Sequence, residues 1–228
     1  MPRLARTVVT GYGHHITQRG NNRQDVFFVD EDRQVYLDYL NQHADKYGLE
    51  VFGYCLMTNH IHIIAVPHNE DSLARAMGRT HFRYAQYINR FHKRSGHLWQ
   101  GRFYSCALDE SHFFVAMKYI ELNPVRTKVC RVPWRYEWSS AAVHIDKKSK
   151  SELINLSAWY EMISANQWKN SLLDGIDDSQ VLSLRCNTHT GRPLGSDSFL
   201  SKMEKLLGRR VRALPVGRPG KTKKGANK

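Results

Sequence analysis

Apolar and polar residues alternate along residues 8–18, the period of a strand. The polar run Arg19-Gly20-Asn21-Asn22-Arg23-Gln24 that follows predicts a loop. Residues 30–47 switch to a helical period: Val35, Tyr39, Leu40 and Ala44 make one apolar stripe, Asp30 stands at an N-cap position and Gly48 at the stop. Residues 49–57 and 60–66 predict two strands around the short turn Thr58-Asn59. Residues 72–94 predict a long helix with Leu73, Ala76, Met77, Thr80, Tyr84, Tyr87, Ile88 and Phe91 on its core side. Residues 97–108, rich in aromatics and glycine, predict a loop leading into a strand, and residues 109–123 a helix ended by Pro124. Past residue 150 the pattern weakens into short helices, and after Gly208 a basic, Gly- and Pro-rich end is expected to be mobile.

Two strands joined by a tight turn must be antiparallel, and helices interleave with the rest. The order therefore predicts an α+β fold of the ferredoxin-like kind, an antiparallel sheet with helices on one face. No stretch approaches the ~20 apolar residues that span a bilayer, so no membrane partner is expected. No apolar run follows the opening Met1-Pro2-Arg3-Leu4-Ala5-Arg6, which does not read as a secretion signal. The cysteines Cys55, Cys106, Cys130 and Cys186 lie far apart without a Cys-x-x-Cys, as in the reduced thiols of a cytosolic protein.

The net charge of +13 is unevenly distributed. Residues 1–71 balance at −3 and residues 109–184 at −1, whereas residues 72–108 carry +7 with no acid and residues 185–228 carry +10. Two concentrated basic blocks point to a polyanion, most simply nucleic acid.

Candidate chemistry begins at His60-Ile61-His62. Side chains two apart on a strand share a face, roughly 6–7 Å apart at the backbone, so this pair is able to chelate one divalent ion. Read alone, it fits two exposed histidines at a strand end equally well. A histidine-triad hydrolase would want a third histidine where Ile64 stands. Tyr119 and Asn123 are four apart on a predicted helix and share its flank, beside the core face. On the helix alone, a boundary tyrosine and an asparagine helix stop is the favoured reading.

Arg75, Arg79, Arg83, Arg90 and Arg94 fall in a sector of about 100° on the long helix, which suits either a solvated face or phosphate binding. In Gly96-His97-Leu98-Trp99-Gln100-Gly101-Arg102-Phe103-Tyr104, exposed aromatics would stack unpaired bases, and buried ones would be core. Arg19, Asn21, Asn22 and Arg23 offer guanidiniums and amides suited to base edges. Gly191-Arg192-Pro193 and Gly217-Arg218-Pro219 each carry the tripeptide core of minor-groove hooks, a weak signal at this length.

Four segments together resemble the HUH single-tyrosine transposases, in the branch called REP-associated tyrosine transposases. They are Gly11-Tyr12-Gly13-His14-His15-Ile16-Thr17-Gln18-Arg19-Gly20-Asn21-Asn22, Tyr54-Cys55-Leu56-Met57-Thr58-Asn59-His60-Ile61-His62, the Gly96–Tyr104 segment quoted above, and Tyr119-Ile120-Glu121-Leu122-Asn123-Pro124-Val125-Arg126. The resemblance implies an HUH nuclease domain over residues 1–145, then a short helical extension over 146–184 and a basic, partly mobile tail over 185–228. It implies that His60 and His62 are a metal pair, Tyr119 the nucleophile and Asn123 a third ligand, where related transposases often carry glutamine. Thr58 stands where the family usually has proline. The implied cofactor is Mg²⁺ or Mn²⁺, two histidines suiting Mn²⁺ somewhat better.

The implied activity is cleavage and rejoining of hairpin-forming repetitive single-stranded DNA through a 5′-phosphotyrosine, in the cytoplasm at the nucleoid, by a monomer or homodimer. The other reading is a sequence-specific DNA binder that keeps the fold without cutting; a weaker third is RNA hairpin binding. Arg19, Asn21, Asn22, Arg23, Arg79, Arg83, Trp99, Gln100, Arg102, Arg126, Arg192 and Arg218 are the expected DNA contacts. For the tail, a DNA clamp is expected; the resemblance adds the alternative that it occupies the cleft and restrains cleavage.

Overall fold

A computed structural model describes residues 7–213. Four strands, β1 (His14–Arg19), β2 (Leu49–Met57), β3 (His60–Pro67) and β4 (Tyr104–Ala107), form one antiparallel sheet in the order β2-β3-β1-β4. Helix α1 (Asp30–Tyr47) joins β1 to β2, and α2 (Ser72–Phe91) joins β3 to β4. This is the expected ferredoxin-like arrangement of an α+β fold. Helices α3 (Glu110–Glu121), α4 (Asn123–Arg126), α5 (Ala141–Ile145), α6 (Leu156–Met162), α7 (Ala165–Leu173), α8 (Asp178–Thr190) and α9 (Asp197–Leu207) follow.

Strand periodicity divides the sheet into two apolar faces. Ile16, Ile61 and Ile63 point to one side, where they pack with Tyr36 and Leu40 of α1 and Leu73, Met77, Tyr84 and Ile88 of α2. Cys55, Ile64 and Cys106 point to the other, where Phe113, Met117 and Ile120 of α3 join Trp159, Trp168 and Leu184 of the later helices. Helices on one face only were expected; both faces are covered, because the second also carries an apolar cluster that has to be buried. Helix α3 lies very close to the sheet. A Cβ on Gly13 would come within 2.4 Å of the Phe113 ring, and one on Gly53 within 2.5 Å of the end of Met117. That close approach brings the C-terminal turn of α3 over β3.

Several element ends differ from the sequence pattern for identifiable reasons. β1 starts at His14, after Gly11 turns the chain with a φ of 76°. Asp32, not Asp30, caps α1: its buried carboxylate accepts the Phe28 and Val29 N–H groups at 2.8 and 3.1 Å. α2 stops at Phe91, two residues before Lys93 takes a φ of 50°. α3 ends at Glu121, and Asn123 opens the short α4 with Pro124 in its first turn, where a missing N–H costs nothing.

The extension is part of the domain rather than an appendage. Glu121, wholly buried, accepts Ser140 Oγ at 2.6 Å and Trp168 Nε1 at 2.8 Å, and lies 2.6 Å from His144 Nδ1. The edge of β2 is covered where Leu56 N–H donates to Trp138 C=O at 2.8 Å, and the edge of β4 where Leu194 N–H donates to Ala107 C=O at 2.8 Å. The expected boundary between residues 184 and 185 falls inside α8, and α9 (Asp197–Leu207) lies within the stretch expected as tail. Phe199, Met203 and Val211 bury themselves against Val9 and Ala107. A chain ended at Cys186 is therefore expected to lose its cooperative thermal transition. Each large buried side chain is worth about 2–5 kcal/mol, against about 5–15 kcal/mol for a whole domain. A chain ended at Ala213 should keep the transition; equal melting of the two would show that these contacts carry no stability.

Candidate active site

On the α3 side of the sheet, β1, β3, α3 and α8 enclose a cleft of about 940 Å³. His60 and His62 both face it, as strand alternation dictates, with ring centroids 5.0 Å apart. The Tyr119 ring stands edge-on to His62 at 5.2 Å and to His15 at 5.8 Å. Asn123 Nδ2 lies 3.3 Å from His60 Nε2. The four residues implied by the resemblance are thus neighbours, delivered by β3, the last turn of α3 and the first residue of α4.

Positive groups surround the tyrosine. Arg185 of α8 donates from Nε to the Tyr119 hydroxyl at 3.1 Å, and its guanidinium carbon lies 5.5 Å from the ring centroid. Arg126 sits over the same ring at 5.6 Å. The histidines are neutral near pH 7. Burial holds His60 down at about 4, with Arg19 and Arg185 adding to the effect. Burial also holds His15 at about 3, and pushes His62 well below its ordinary value, with His60, His15 and Arg185 reinforcing it. Their unprotonated nitrogens are therefore available as ligands or acceptors.

This donor set fits a small divalent ion. Two neutral imidazoles and a carboxamide in contact suit Mn²⁺ or Mg²⁺, and a half-turn of the Asn123 amide presents Oδ1 in place of Nδ2. Among the described residues, no group of three or more His, Cys, Asp and Glu is arranged to hold a metal. An ion held here would need the Asn123 amide as its third protein ligand.

One rim of the cleft is built by three loops stitched together through the backbone. Asn21 N–H donates to Leu98 C=O at 2.8 Å, Gln100 N–H to Arg19 C=O at 2.9 Å, and Gly20 N–H to Asn59 C=O at 2.9 Å. Arg19, Arg23 and Gln100 line the cleft, and Arg19 donates twice to Gln100 Oε1, at 3.2 and 3.0 Å. Asn21, Asn22 and Arg102 belong to the same rim loops without lining the cleft.

Other expected contacts lie elsewhere. Trp99 is buried, not poised for stacking: it is 9% exposed, packs among Tyr36, His81 and Tyr84, and donates from Nε1 to His81 C=O at 3.1 Å. Arg79 and Arg83 are exposed on α2, which covers the opposite face of the sheet from the cleft. On that face Arg83 lies over Tyr39 at 5.9 Å, and Arg75 pairs with Asp71 at 3.0 Å, an acid just outside the acid-free block. Arg192 follows α8 on the β4 edge without lining the cleft, and Arg218 lies outside the described residues.

Three residues of the site carried no assigned role in the sequence reading. His15 appeared only inside a quoted motif, although strand alternation puts it on the face of Thr17, and pairing of β1 with β3 sets Thr17 opposite His62. Arg185 and Thr188 share a face of α8, whose weak pattern gave no signal of their use.

No curated protein matches the chain. A solved structure described as a REP associates tyrosine transposase bound to a REP hairpin is similar at a TM-score of 0.56 and 15% identity, over 67% of this chain and 90% of that one. This likeness bears on the fold. A putative transposase from Deinococcus radiodurans R1 aligns at a TM-score of 0.38 and 21% identity, over 53% of this chain and 96% of that one. The family model described as "Transposase IS200 like" matches residues 8–123, just over half of the 228 residues and the whole stretch from β1 to Asn123, so the chain belongs to the IS200-like transposase family.

Proposed function

We propose that this chain is a metal-dependent single-strand DNA endonuclease and transesterase that cleaves and rejoins hairpin-forming repeats through Tyr119. The observation that carries the reading is the convergence of Tyr119, His60 and His62 in one cleft, with Asn123 buried against His60 at 3.3 Å and Arg185 hydrogen-bonded to the tyrosine hydroxyl at 3.1 Å. When bound by His60, His62 and Asn123, Mg²⁺ or Mn²⁺ polarises the scissile phosphate and offsets the charge that develops on it.

An ordinary phenol, with a pKa near ~10, is a weak nucleophile at neutral pH. Tyr119 is held by the Arg185 N–H and by flanking rings, so its oxygen is oriented before DNA arrives. The guanidinium of Arg185 places positive charge at the attacking oxygen, while Arg126 lies over the ring and pairs with Asp178 at 3.6 Å. The tyrosine oxygen bonds to phosphorus as the bond from phosphorus to the 3′-oxygen breaks. The phenolic proton is lost, and the departing oxygen gains one. The products are a 5′-phosphotyrosine and a free 3′-hydroxyl. One phosphoester replaces another, so rejoining needs no nucleotide.

The hairpin partner is carried over from the solved relative, which is described as bound to a REP hairpin. In this chain the basic cleft and the amide-rich rim of Arg19, Arg23, Asn59 and Gln100 suit a folded single strand. We place the reaction in the cytoplasm, at the nucleoid; among the described residues no helix is long and apolar enough to cross a membrane.

Incubation with an end-labelled single-stranded hairpin and Mn²⁺ tests this. The expected product is a protein–DNA adduct that survives denaturant and disappears with a chelator. Retardation of the hairpin with no adduct would establish a binder that does not cut, and the enzymatic reading would fall.

A further inference from the structure

We propose that His15 and Thr188 are positioning residues for His62: a one-way hydrogen-bond chain through them holds the His62 proton on Nδ1 and leaves the Nε2 lone pair for the cleft. The inference rests on the reading of His62 as a metal ligand.

The chain ends on a group that only accepts. Leu184 C=O takes the Thr188 hydroxyl hydrogen at 2.8 Å. With its one hydrogen used, Thr188 Oγ1 accepts, and His15 Nδ1 lies 2.7 Å away. A neutral imidazole carries one N–H, so donation from Nδ1 leaves His15 Nε2 as an acceptor. That nitrogen lies 2.9 Å from His62 Nδ1, which must then be the donor. The remaining lone pair of His62 is on Nε2. Cys106 Sγ, 3.2 Å from Thr188 Oγ1, is able to donate to the same oxygen, in keeping with its role as acceptor.

The reverse order requires the Thr188 hydrogen to leave Leu184 for His15. It would also place a proton on His62 Nε2, where a cation would sit. His15 and Thr188 are both buried, so water does not compete along the chain. His60 is held in the same manner by another group: its Nδ1 lies 2.7 Å from Asn59 Oδ1, and its Nε2 faces Asn123. Both histidines are thus oriented through Nδ1 and present Nε2, the usual way an outer group fixes a ligating imidazole. Thr188 belongs to α8, outside the matched residues 8–123, so the extension helps set the geometry of the histidine pair.

The test uses the full chain, labelled with ¹⁵N-histidine and free of metal. Long-range proton–nitrogen correlations report which nitrogen of His62 carries the hydrogen. Nδ1–H is expected in the wild type, and a mixture of tautomers in Thr188→Val, which removes the hydroxyl but keeps the shape. Mn²⁺ affinity, measured by calorimetry, is expected to fall about 10-fold to 100-fold in His15→Leu. It should recover in part in His15→Gln, whose amide oxygen accepts the same N–H.

A wild-type His62 protonated on Nε2 would overturn the relay, as would a folded His15→Leu chain that binds Mn²⁺ with unchanged affinity. Should His15→Leu fail to fold, the wild-type tautomer and Thr188→Val still decide. A wild type that binds no Mn²⁺ would sink the metal reading alone, because the tautomer is measured without metal.

Discussion

Tyr119→Phe is expected to abolish adduct formation and to slow cleavage by about four orders of magnitude or more, the usual scale for loss of a nucleophile. Only one oxygen is removed. The ring keeps its edge-on packing against His15 and His62, so the fold and the cleft should survive. The hydrogen bond from Arg185 is lost, but that arginine remains able to meet phosphate. Hairpin affinity should therefore change little, since backbone and base contacts lie along the rim. A gel that resolves covalent from retarded DNA reads both quantities together. A denaturant-resistant adduct formed by the Tyr119→Phe variant would remove Tyr119 from the role of nucleophile.

His60→Ala and His62→Ala should each lower cleavage by about 10²-fold to 10³-fold and make the residual rate insensitive to added Mn²⁺. The two are not equivalent as probes. His60 is half-buried, so its removal should cost little stability. His62 is 5% exposed and bonded to His15; its removal leaves His15 Nε2 without its partner and is expected to cost about 1–3 kcal/mol. His60→Ala is therefore the cleaner test of the metal assignment. If it cleaves at the wild-type rate, with wild-type dependence on Mn²⁺, His60 is not a ligand.

Much of this site was legible in the chain because its central signal is local. Strand alternation alone puts His60 and His62 on one face, and the one-sided apolar stripe of residues 109–123 alone puts Tyr119 on a flank. The same alternation read Ile61 and Ile63 as opposite to the histidines, and they form the core under α1 and α2. Charge was less informative. A block of +7 without acids looked like one DNA-binding surface. In the fold it is divided, with Arg79 and Arg83 behind the sheet and Arg102 on a rim loop. Net charge records what a segment carries, and not which side of a sheet receives it.

Trp99 marks a second limit. Composition left it either exposed or buried, and the choice was made by a cavity between Tyr36, His81 and Tyr84 that no neighbour in sequence defines. Arg185 and Thr188 mark a third. They belong to a helix with a weak apolar pattern, and Arg185 is 66 residues from the tyrosine it touches. By itself the sequence determined the order of the elements, the face on which the histidine pair stands and the flank of the helix on which Tyr119 stands; the roles of Tyr119 and Asn123 were implied only by the resemblance. Those properties follow from backbone periods of two and 3.6 residues, which act over a few positions. Only the tertiary structure decided that both faces of the sheet are covered, that His15 meets His62, and that α8 closes the cleft with Arg185 on the Tyr119 hydroxyl. Those contacts arise from apolar surfaces distant in sequence being buried against one another, and burial is non-directional until the packed shape picks the partners.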